Sequence, residues 1–303
     1  MNWAACVPMA AGLAAAPLLT SVINRTKAFF AGRQGPPLLQ PYYDLAKLLG
    51  KGAVYSRTTT WVFRAGPVVG LAGAVGVLAL IPAAGLPALA AFPVDWIVFA
   101  YVLSLGRFFT VLAALDTGSA FEGMGASREV FFAALAEPAL FLALAALAIL
   151  SRNLSLSGIL SGLQPGLWME KGPALALVVG ALFVVLLAEN ARIPVDDPNT
   201  HLELTMIHEG MVLDHCGVDL AFIQYSAGLK LWALSAIIVS LVLPVRAGSP
   251  ALDSAAFLAG MAGLSVAVGT VESCMARLRL LRVPALLLGA CALAALALVL
   301  VLR

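Results

Sequence analysis

The sequence has 303 residues, of which 62% are apolar and only 11% are Asp, Glu, Lys or Arg, and its formal net charge is +2. A water-soluble domain carries about 25% charged residues, so this chain has too few charges to cover a globular surface. The composition excludes a soluble globular protein, and the small net charge gives no support to nucleic-acid binding. A lipid bilayer accepts this much apolar surface.

Eight apolar segments are long enough to cross a bilayer as helices, since a span needs about 20 residues. They are 3–23, 65–87, 94–115, 130–150, 173–190, 222–244, 251–271 and 283–302. These segments predict an all-α polytopic membrane protein that forms a single membrane domain over residues 1–303. No charged segment precedes the first apolar run, which favours a retained span over a cleaved signal peptide.

The distribution of Lys and Arg predicts the orientation of the chain. Most of these cations fall in or next to the loops 24–61, 116–129, 189–221 and 272–282, and Arg107 is counted with them. Loops that face the cytoplasm carry an excess of Lys and Arg, so we expect these four loops to be cytoplasmic. The same loops hold most of the other polar residues.

The stretch from Glu189 to Leu204 reads ENARIPVDDPNTHLEL and follows the fifth predicted span. Asp197 and Pro198 are a favourable N-cap and first-turn pair, and Gly210 is a common helix end. They predict a short amphipathic cytoplasmic helix over about 198–209. That helix would carry Glu203, Glu209, His201 and His208.

The histidines and cysteines do not form a recognisable metal motif. His201, His208 and His215 recur every seven residues, which on a helix separates neighbours by about 10 Å, too far for one metal ion. Two interpretations stay open for them, a pH-sensitive surface and a helix face that contacts a partner. The four cysteines are isolated, so we expect no metal bound by this chain and any metal cluster to belong to a partner.

Four motifs in chain order resemble the complex I subunit 1 family, which includes a membrane subunit of bacterial NADH-quinone oxidoreductase. The pattern Glu-x-x-Arg-x-Pro-x-Asp at 189–196, followed by Glu203 and Leu204, resembles the fifth loop of that family. Residues 33–49 resemble its first loop, and 272–279 resemble the loop before its last span. Residues 115–119 and 125–129, with Glu137-Pro138, resemble the membrane anchor subunit of formate hydrogenlyase and group 4 membrane-bound [NiFe]-hydrogenases.

The sequence departs from the family in the fifth loop. Asn199 and His201 stand where the family usually has glutamates, and residues 214–217 read Asp-His-Cys-Gly. Part of the family's acidic path is therefore absent or rearranged. These differences weaken the expectation of quinone binding.

The resemblance implies a membrane anchor and proton-path subunit that performs no bond chemistry itself. It implies a peripheral hydrogenase-like large subunit and an iron–sulfur subunit on the cytoplasmic loops, antiporter-like membrane partners, and the inner membrane of a bacterium or archaeon. Iron–sulfur clusters, and NiFe where present, would lie in the partners. Alternatives are a quinone-chamber subunit, a hydrogenase-related complex without nickel, and a self-contained transporter, against which the absence of inverted repeats argues.

Six residues are candidates for the proton path: Glu137, Glu189, Glu203, Lys230, Glu272 and Asp196. A carboxylate inside a span is costly unless it faces a polar cavity or a partner, so Glu137 is a proton relay or a structural hydrogen-bonding group. Glu189 and Glu272 lie at span ends, where a solvated helix cap is the alternative. Lys230 either pairs with Glu137 or Glu189, or extends to the membrane surface.

Nine charged residues are candidates for partner docking and loop ordering. Some of the arginines among them could equally serve only to set the topology. The nine are Arg33, Asp44, Lys47, Asp116, Arg128, Glu129, Arg192, Arg277 and Arg279.

Overall fold

A computed structural model describes residues 3–197, 206–244 and 249–303. Within these residues the chain forms ten α-helices and two short 3-10 turns, at Glu209–Met211 and Leu280–Arg282. The helices are α1 (Trp3–Phe30), α2 (Gln40–Leu49), α3 (Trp61–Leu80), α4 (Asp95–Asp116), α5 (Ala120–Ser151), α6 (Leu156–Gly162), α7 (Pro165–Glu189), α8 (Gly217–Val242), α9 (Pro250–Cys274) and α10 (Val283–Leu302).

Eight of these helices are long and apolar enough to cross a membrane, which confirms the predicted fold class. They are α1, α3, α4, α5, α7, α8, α9 and α10, the last extended by its preceding 3-10 turn. The predicted ends were wrong for several of them. The second span was predicted to reach residue 87 but α3 ends at Leu80, while α1 continues to Phe30 and α5 begins already at Ala120.

The bundle has a polar end, formed by residues 31–60, 117–119, 190–197, 206–216 and 275–282. Contacts at this end join loops that are distant in sequence: Asp116 accepts hydrogen bonds from Thr60, and Arg277 binds Asp196. At the opposite end, Asp95 accepts a hydrogen bond of 2.6 Å from the backbone of Leu156. Because successive spans cross the bundle in opposite directions, the loops that carry the candidate residues lie together at the polar end.

Helix α2 lies within residues 24–61, which were predicted as a loop. Pro41 lies in its first turn, where a missing N–H costs nothing, and none of its residues is buried. The hydroxyl of Tyr42 donates to the carbonyl of Ala14, near the middle of α1. Helix α2 also packs on α8, so it lies beside the membrane-spanning part of α1.

A proline in α1 provides a second connection to α8. Pro17 has no N–H, so the carbonyl of Leu13 lacks its usual partner within the helix. The hydroxyl of Tyr225 on α8 donates to this carbonyl at 2.8 Å. A carbonyl left open by the proline thus joins two neighbouring spans.

The last two spans lie on different sides of the bundle. Helix α9 packs on α1 and α8, whereas α10 packs on α5 and α7. Residues 275–282 therefore cross the polar end, where the backbone N–H of Leu278 donates to the carbonyl of Pro194. We call residues 275–282 the crossing segment.

Candidate functional site

Arg107 is the centre of the charged site. It lies within α4, nine residues before the helix ends, and its side chain is 9% exposed. Counting it among loop cations was therefore wrong. Its position inside a helix could have been predicted, because Arg107 lies within the apolar segment 94–115 that was predicted as the third span.

The guanidinium of Arg107 contacts three carboxylates from two neighbouring helices. Its Nη1 donates to Glu137 Oε1 at 2.8 Å, and its Nη2 donates to Glu189 Oε1. Its Nε lies 3.4 Å from Glu129 Oε1. Glu129 was predicted as a docking residue, yet α5 places it beside the same cation as Glu137.

Lys230 completes the group, which we call the Arg107 cluster: Arg107, Glu129, Glu137, Glu189 and Lys230. The Nζ of Lys230 on α8 lies 3.8 Å from Glu189 Oε2, one of the two partners expected for it. The side chain of Glu189 is 4% exposed, so this residue is not a solvated helix cap. Ser104 adds a hydrogen bond of 2.6 Å to Glu137.

The geometry of the cluster suits proton storage. An isolated charge in a membrane span costs several kcal/mol, and a paired charge recovers much of this cost. Three carboxylates share two cations in this group. The side chains of Arg107, Glu129 and Glu189 are mostly buried, whereas that of Glu137 is 34% exposed. Adding or removing a proton therefore changes the charge balance of a largely buried site that already holds its partners in contact.

A cavity of about 390 Å³ adjoins the cluster. Its wall includes α1, α2, α3, α4 and α8, together with residues 190–192 and His208 of the polar end. Arg107, Glu129, Glu189 and Lys230 line it on the cluster side, and Gln40 and Asp44 line it from α2. The cavity brings the first and fifth loops together around one space.

Asp196 is a second buried carboxylate near the cluster. It accepts hydrogen bonds from the backbone N–H groups of Asp197 and His208, and Arg277 Nη2 lies 2.7 Å from its Oδ1. Burial raises the pKa of Asp196, and the nearby Arg277 opposes that rise. Asp196 thus depends on the crossing segment for its charge partner.

Glu272 forms a separate ion-pair group. Its side chain is fully buried, 2.9 Å from Lys27 Nζ and 3.4 Å from Arg192 Nη1. These contacts connect the end of α9 to α1 and to the fifth loop. Within the described residues Glu272 forms no ion pair with the Arg107 cluster, but its partner Arg192 lines the large cavity.

The remaining predicted residues have varied surroundings. Asp116 caps α3 through Thr60, and Arg128 donates to the carbonyl of Met206 at 2.8 Å. Asp44 accepts a hydrogen bond from Gln40. The side chains of Arg33, Lys47 and Arg279 are exposed.

Most of the predicted amphipathic helix over 198–209 lies outside the described residues, as do Glu203 and His201. Of its described part, residues 206–208 are not helical and Glu209 begins a 3-10 turn.

The two described histidines lie outside the α-helices and have different surroundings. His208 lines the large cavity, and burial lowers its pKa to about 4. His215 stacks on Phe63 with ring centroids 4.0 Å apart, and burial likewise lowers its pKa to about 4. Across the part of the chain that the structure covers, no three His, Cys, Asp or Glu side chains converge as a metal site.

Comparisons with known proteins agree with this arrangement. The chain is 31% identical to hydrogenase-4 component C of Escherichia coli K12, over 75% of its own length and 71% of that protein. It is 28% identical to formate hydrogenlyase subunit 4 of the same organism, over 88% of each chain. A subunit of the NADH-quinone oxidoreductase of Rubrobacter xylanophilus is 30% identical, over 75% of this chain and 70% of that one.

A solved structure shows the same fold across nearly the whole chain. It is a chain of the membrane-bound sulfane sulfur reductase, an archaeal respiratory membrane complex, with 19% identity and a TM-score of 0.83. The match covers 99% of this chain and 98% of that one. A sequence model of the family described as NADH dehydrogenase matches residues 3–303, and this multi-pass membrane chain therefore belongs to that family.

Proposed function

We propose that this chain is the membrane anchor and coupling subunit of an energy-converting complex of the membrane-bound [NiFe]-hydrogenase or formate-hydrogenlyase type. In this role it links redox chemistry in a peripheral arm to the translocation of H⁺ or Na⁺. Two of its relatives are named as a hydrogenase component and a formate hydrogenlyase subunit. The redox cofactors then lie in partner subunits.

The observation that carries this proposal is the Arg107 cluster. Paired carboxylates within membrane helices are typical of proton relays. The cluster contacts the large cavity, and the cavity extends to the polar end through α2 and residues 190–192. A charge or conformational change in a partner seated on the polar end is therefore transmitted to the proton occupancy of the cluster.

In this role the polar end lies on the cytoplasmic side of a bacterial or archaeal inner membrane. The exposed side chains of Arg33, Lys47 and Arg279 offer positive charge to acidic surfaces of the peripheral subunits. Antiporter-like membrane subunits receive the change in proton occupancy and move the ion. In this role Glu137, Glu189, Lys230 and Asp196 belong to the proton path, together with Glu203 and Glu272.

Native purification through a tag on this chain tests the proposal. We would identify co-purified subunits by mass spectrometry, quantify nickel and iron, and measure H₂ evolution with a low-potential electron donor. Nickel, iron and H₂ evolution support the hydrogenase-type function. Isolation of a stable chain that transports ions alone contradicts the assignment as an anchor subunit.

A second candidate function is that of a quinone-chamber subunit, and the large cavity favours it. Its volume of about 390 Å³ lies within the range of small-molecule sites, and its wall combines apolar residues with polar groups. The relative from Rubrobacter xylanophilus is named as a subunit of an NADH-quinone oxidoreductase. Iron without nickel, together with quinone reduction by the purified complex, establishes this function instead.

A further inference from the structure

The three carboxylates of the Arg107 cluster are stabilised unequally. Glu189 accepts a hydrogen bond from Arg107 and lies near Lys230, and Glu137 accepts hydrogen bonds from Arg107 and Ser104. Within the described residues Glu129 has an ion contact of 3.4 Å with Arg107 Nε and no hydrogen bond, and this Nε makes no hydrogen bond there either. Hydrogen bonds to a carboxylate favour its charged form, so Glu129 is the least stabilised anion of the three.

The net charge of the cluster favours the binding of one proton. With every group ionised, three carboxylates and two cations give a net charge of −1. A buried site in a membrane is most stable near neutrality, because an uncompensated charge there costs several kcal/mol. One proton on one carboxyl group makes the cluster neutral.

Glu129 also borders two separate spaces. Glu129 shares this position with Glu189, since both line the large cavity and a second cavity of about 20 Å³, and Asp196 lines the second cavity. A space needs about 10–15 Å³ to hold one water molecule, and that water needs two to four polar partners. The three carboxylates around the small cavity meet this requirement.

We propose that Glu129 is the proton-exchanging carboxyl of the Arg107 cluster, and that one water in the small cavity connects it to Asp196. This inference rests on the proposed coupling function and names the residue at which the proton enters. It assigns to Glu129 a role different from partner docking.

The transfer consists of two balanced steps. A hydronium ion in the large cavity gives a proton to the Glu129 carboxylate, so that an O–H bond breaks on the donor as one forms on Glu129. The water in the small cavity then accepts this proton and passes one of its own to the Asp196 carboxylate. Arg107 keeps its contacts with Glu137 and Glu189 during both steps.

Charged and titratable groups from every neighbouring element influence whether Glu129 is protonated or ionised. These are Arg107 on α4, Glu137 on α5 itself, Glu189 on α7, Lys230 on α8, and Asp196 and His208 in the fifth loop. Asp196 lines the small cavity together with Glu129.

Infrared difference spectroscopy of the natively purified, reconstituted complex tests the assignment. A pH jump in H₂O and in D₂O reports the carbonyl stretch of a protonated carboxyl group. We expect Glu129→Gln to remove one such band entirely, while Glu137→Gln, the same substitution on the same helix, retains it. Persistence of every band in Glu129→Gln, or loss of the same band in Glu137→Gln, overturns the proposal.

Two further variants test the path and still give a result if the Glu129→Gln complex does not assemble. Glu129→Asp retains a carboxyl group, so its band should shift rather than vanish, and an unshifted band excludes Glu129. Asp196→Asn should leave the Glu129 band intact and remove the band of the protonated Asp196 carboxyl group. In Glu129→Gln the Asp196 band should appear more slowly after the pH jump, by on the order of 10²-fold. An Asp196 band that forms as fast in Glu129→Gln as in the wild type excludes the connection through the small cavity.

The spectroscopic result is independent of the redox partner. A complex without nickel or H₂ evolution contradicts the hydrogenase-type function but leaves the Glu129 band to be measured. Conversely, a hydrogenase complex in which Glu129→Gln changes no band keeps the proposed function and refutes the role of Glu129.

Discussion

Glu137 contacts Arg107 and Ser104 at once, and substituting it tests the coupling role. Glutamine keeps a carbonyl oxygen for one of these donors but cannot hold a charge or a titratable proton. We expect Glu137→Gln to assemble and to continue electron transfer, while ion movement per electron falls to the background leak. Proton uptake by vesicles during turnover measures this ratio.

The matched control is Glu170→Gln, the same change at an exposed site near the opposite end of the bundle. It should pump normally. Normal pumping by Glu137→Gln as well removes Glu137 from the ion path.

His215 predicts a pH dependence of stability. Its pKa falls from 6.5 to about 4 on folding, so the folded protein keeps the imidazole neutral where the unfolded chain protonates it. The stabilisation is present above pH 6.5 and is lost as the pH falls towards 4, a total of about 3 kcal/mol. At pH 5 the loss is about 2 kcal/mol.

The variant His215→Phe keeps a ring against Phe63 and removes the titration. Thermal unfolding at pH 7.5 and pH 5 should show a smaller loss for the variant than for the wild type. His208 titrates in the same direction and is present in both proteins, so it cancels from the comparison. Equal losses contradict the assignment to His215.

At the residue scale, the sequence showed which side chains are chemically unusual but not which of them meet. Glu137 and Lys230 stand out because each is charged within an apolar run. Their connection through Arg107 and Glu189 depends on how four helices pack, and no local pattern contains that information. Glu129 was assigned to docking as the last residue of the predicted loop 116–129, although α5 already includes it.

Among the helices, the contact of α9 with α1 depends on a glycine. A Cβ on Gly269 would lie 2.7 Å from Thr26 Cβ and 3.0 Å from the carbonyl oxygen of Ile23. We expect Gly269→Ala to separate the two helices and to weaken the Lys27–Glu272 ion pair. Overpacking of this kind costs about 1–3 kcal/mol, measurable as a lower thermal unfolding midpoint in detergent.

Gly263 on the same helix provides the control, since a Cβ there meets nothing within 4 Å. Gly263→Ala should leave the midpoint unchanged or raise it slightly, because alanine favours helix more than glycine does. Equal midpoints for the two variants refute close packing at Gly269.

At the element scale, spans were predictable because an apolar run of sufficient length is a local property. Their ends were not, because backbone hydrogen bonding continues past the apolar residues, as in α1 to Phe30 and α5 from Ala120. Helix α2 was missed although Pro41 marks a possible helix start. Its position beside α1 depends on contacts such as that of Tyr42 with Ala14.

For the whole molecule, the orientation in the membrane is the open prediction. Cys274 is exposed where α9 reaches the polar end. In a variant with the other three cysteines replaced by alanine, we expect a membrane-impermeant maleimide to label Cys274 in inverted vesicles but not in intact cells. Gel shift or mass spectrometry of the labelled chain reads the result.

Asn153→Cys, placed in a chain without native cysteines, supplies the reverse case, because residue 153 is exposed near the opposite end. It should react in intact cells and not in inverted vesicles. The opposite pattern at both sites means that the polar end faces outward.

The crossing segment has a consequence for biosynthesis. Helix α10 follows α9 in the chain, but it settles against α5 and α7, which leave the ribosome much earlier. More than 90 residues are synthesised between the two, since α7 ends at Glu189 and α10 begins at Val283. During that time the surfaces of α5 and α7 that later contact α10 must not pack against other segments. Insertion factors that shield such surfaces in the bilayer would decide how much of the chain reaches its mature form.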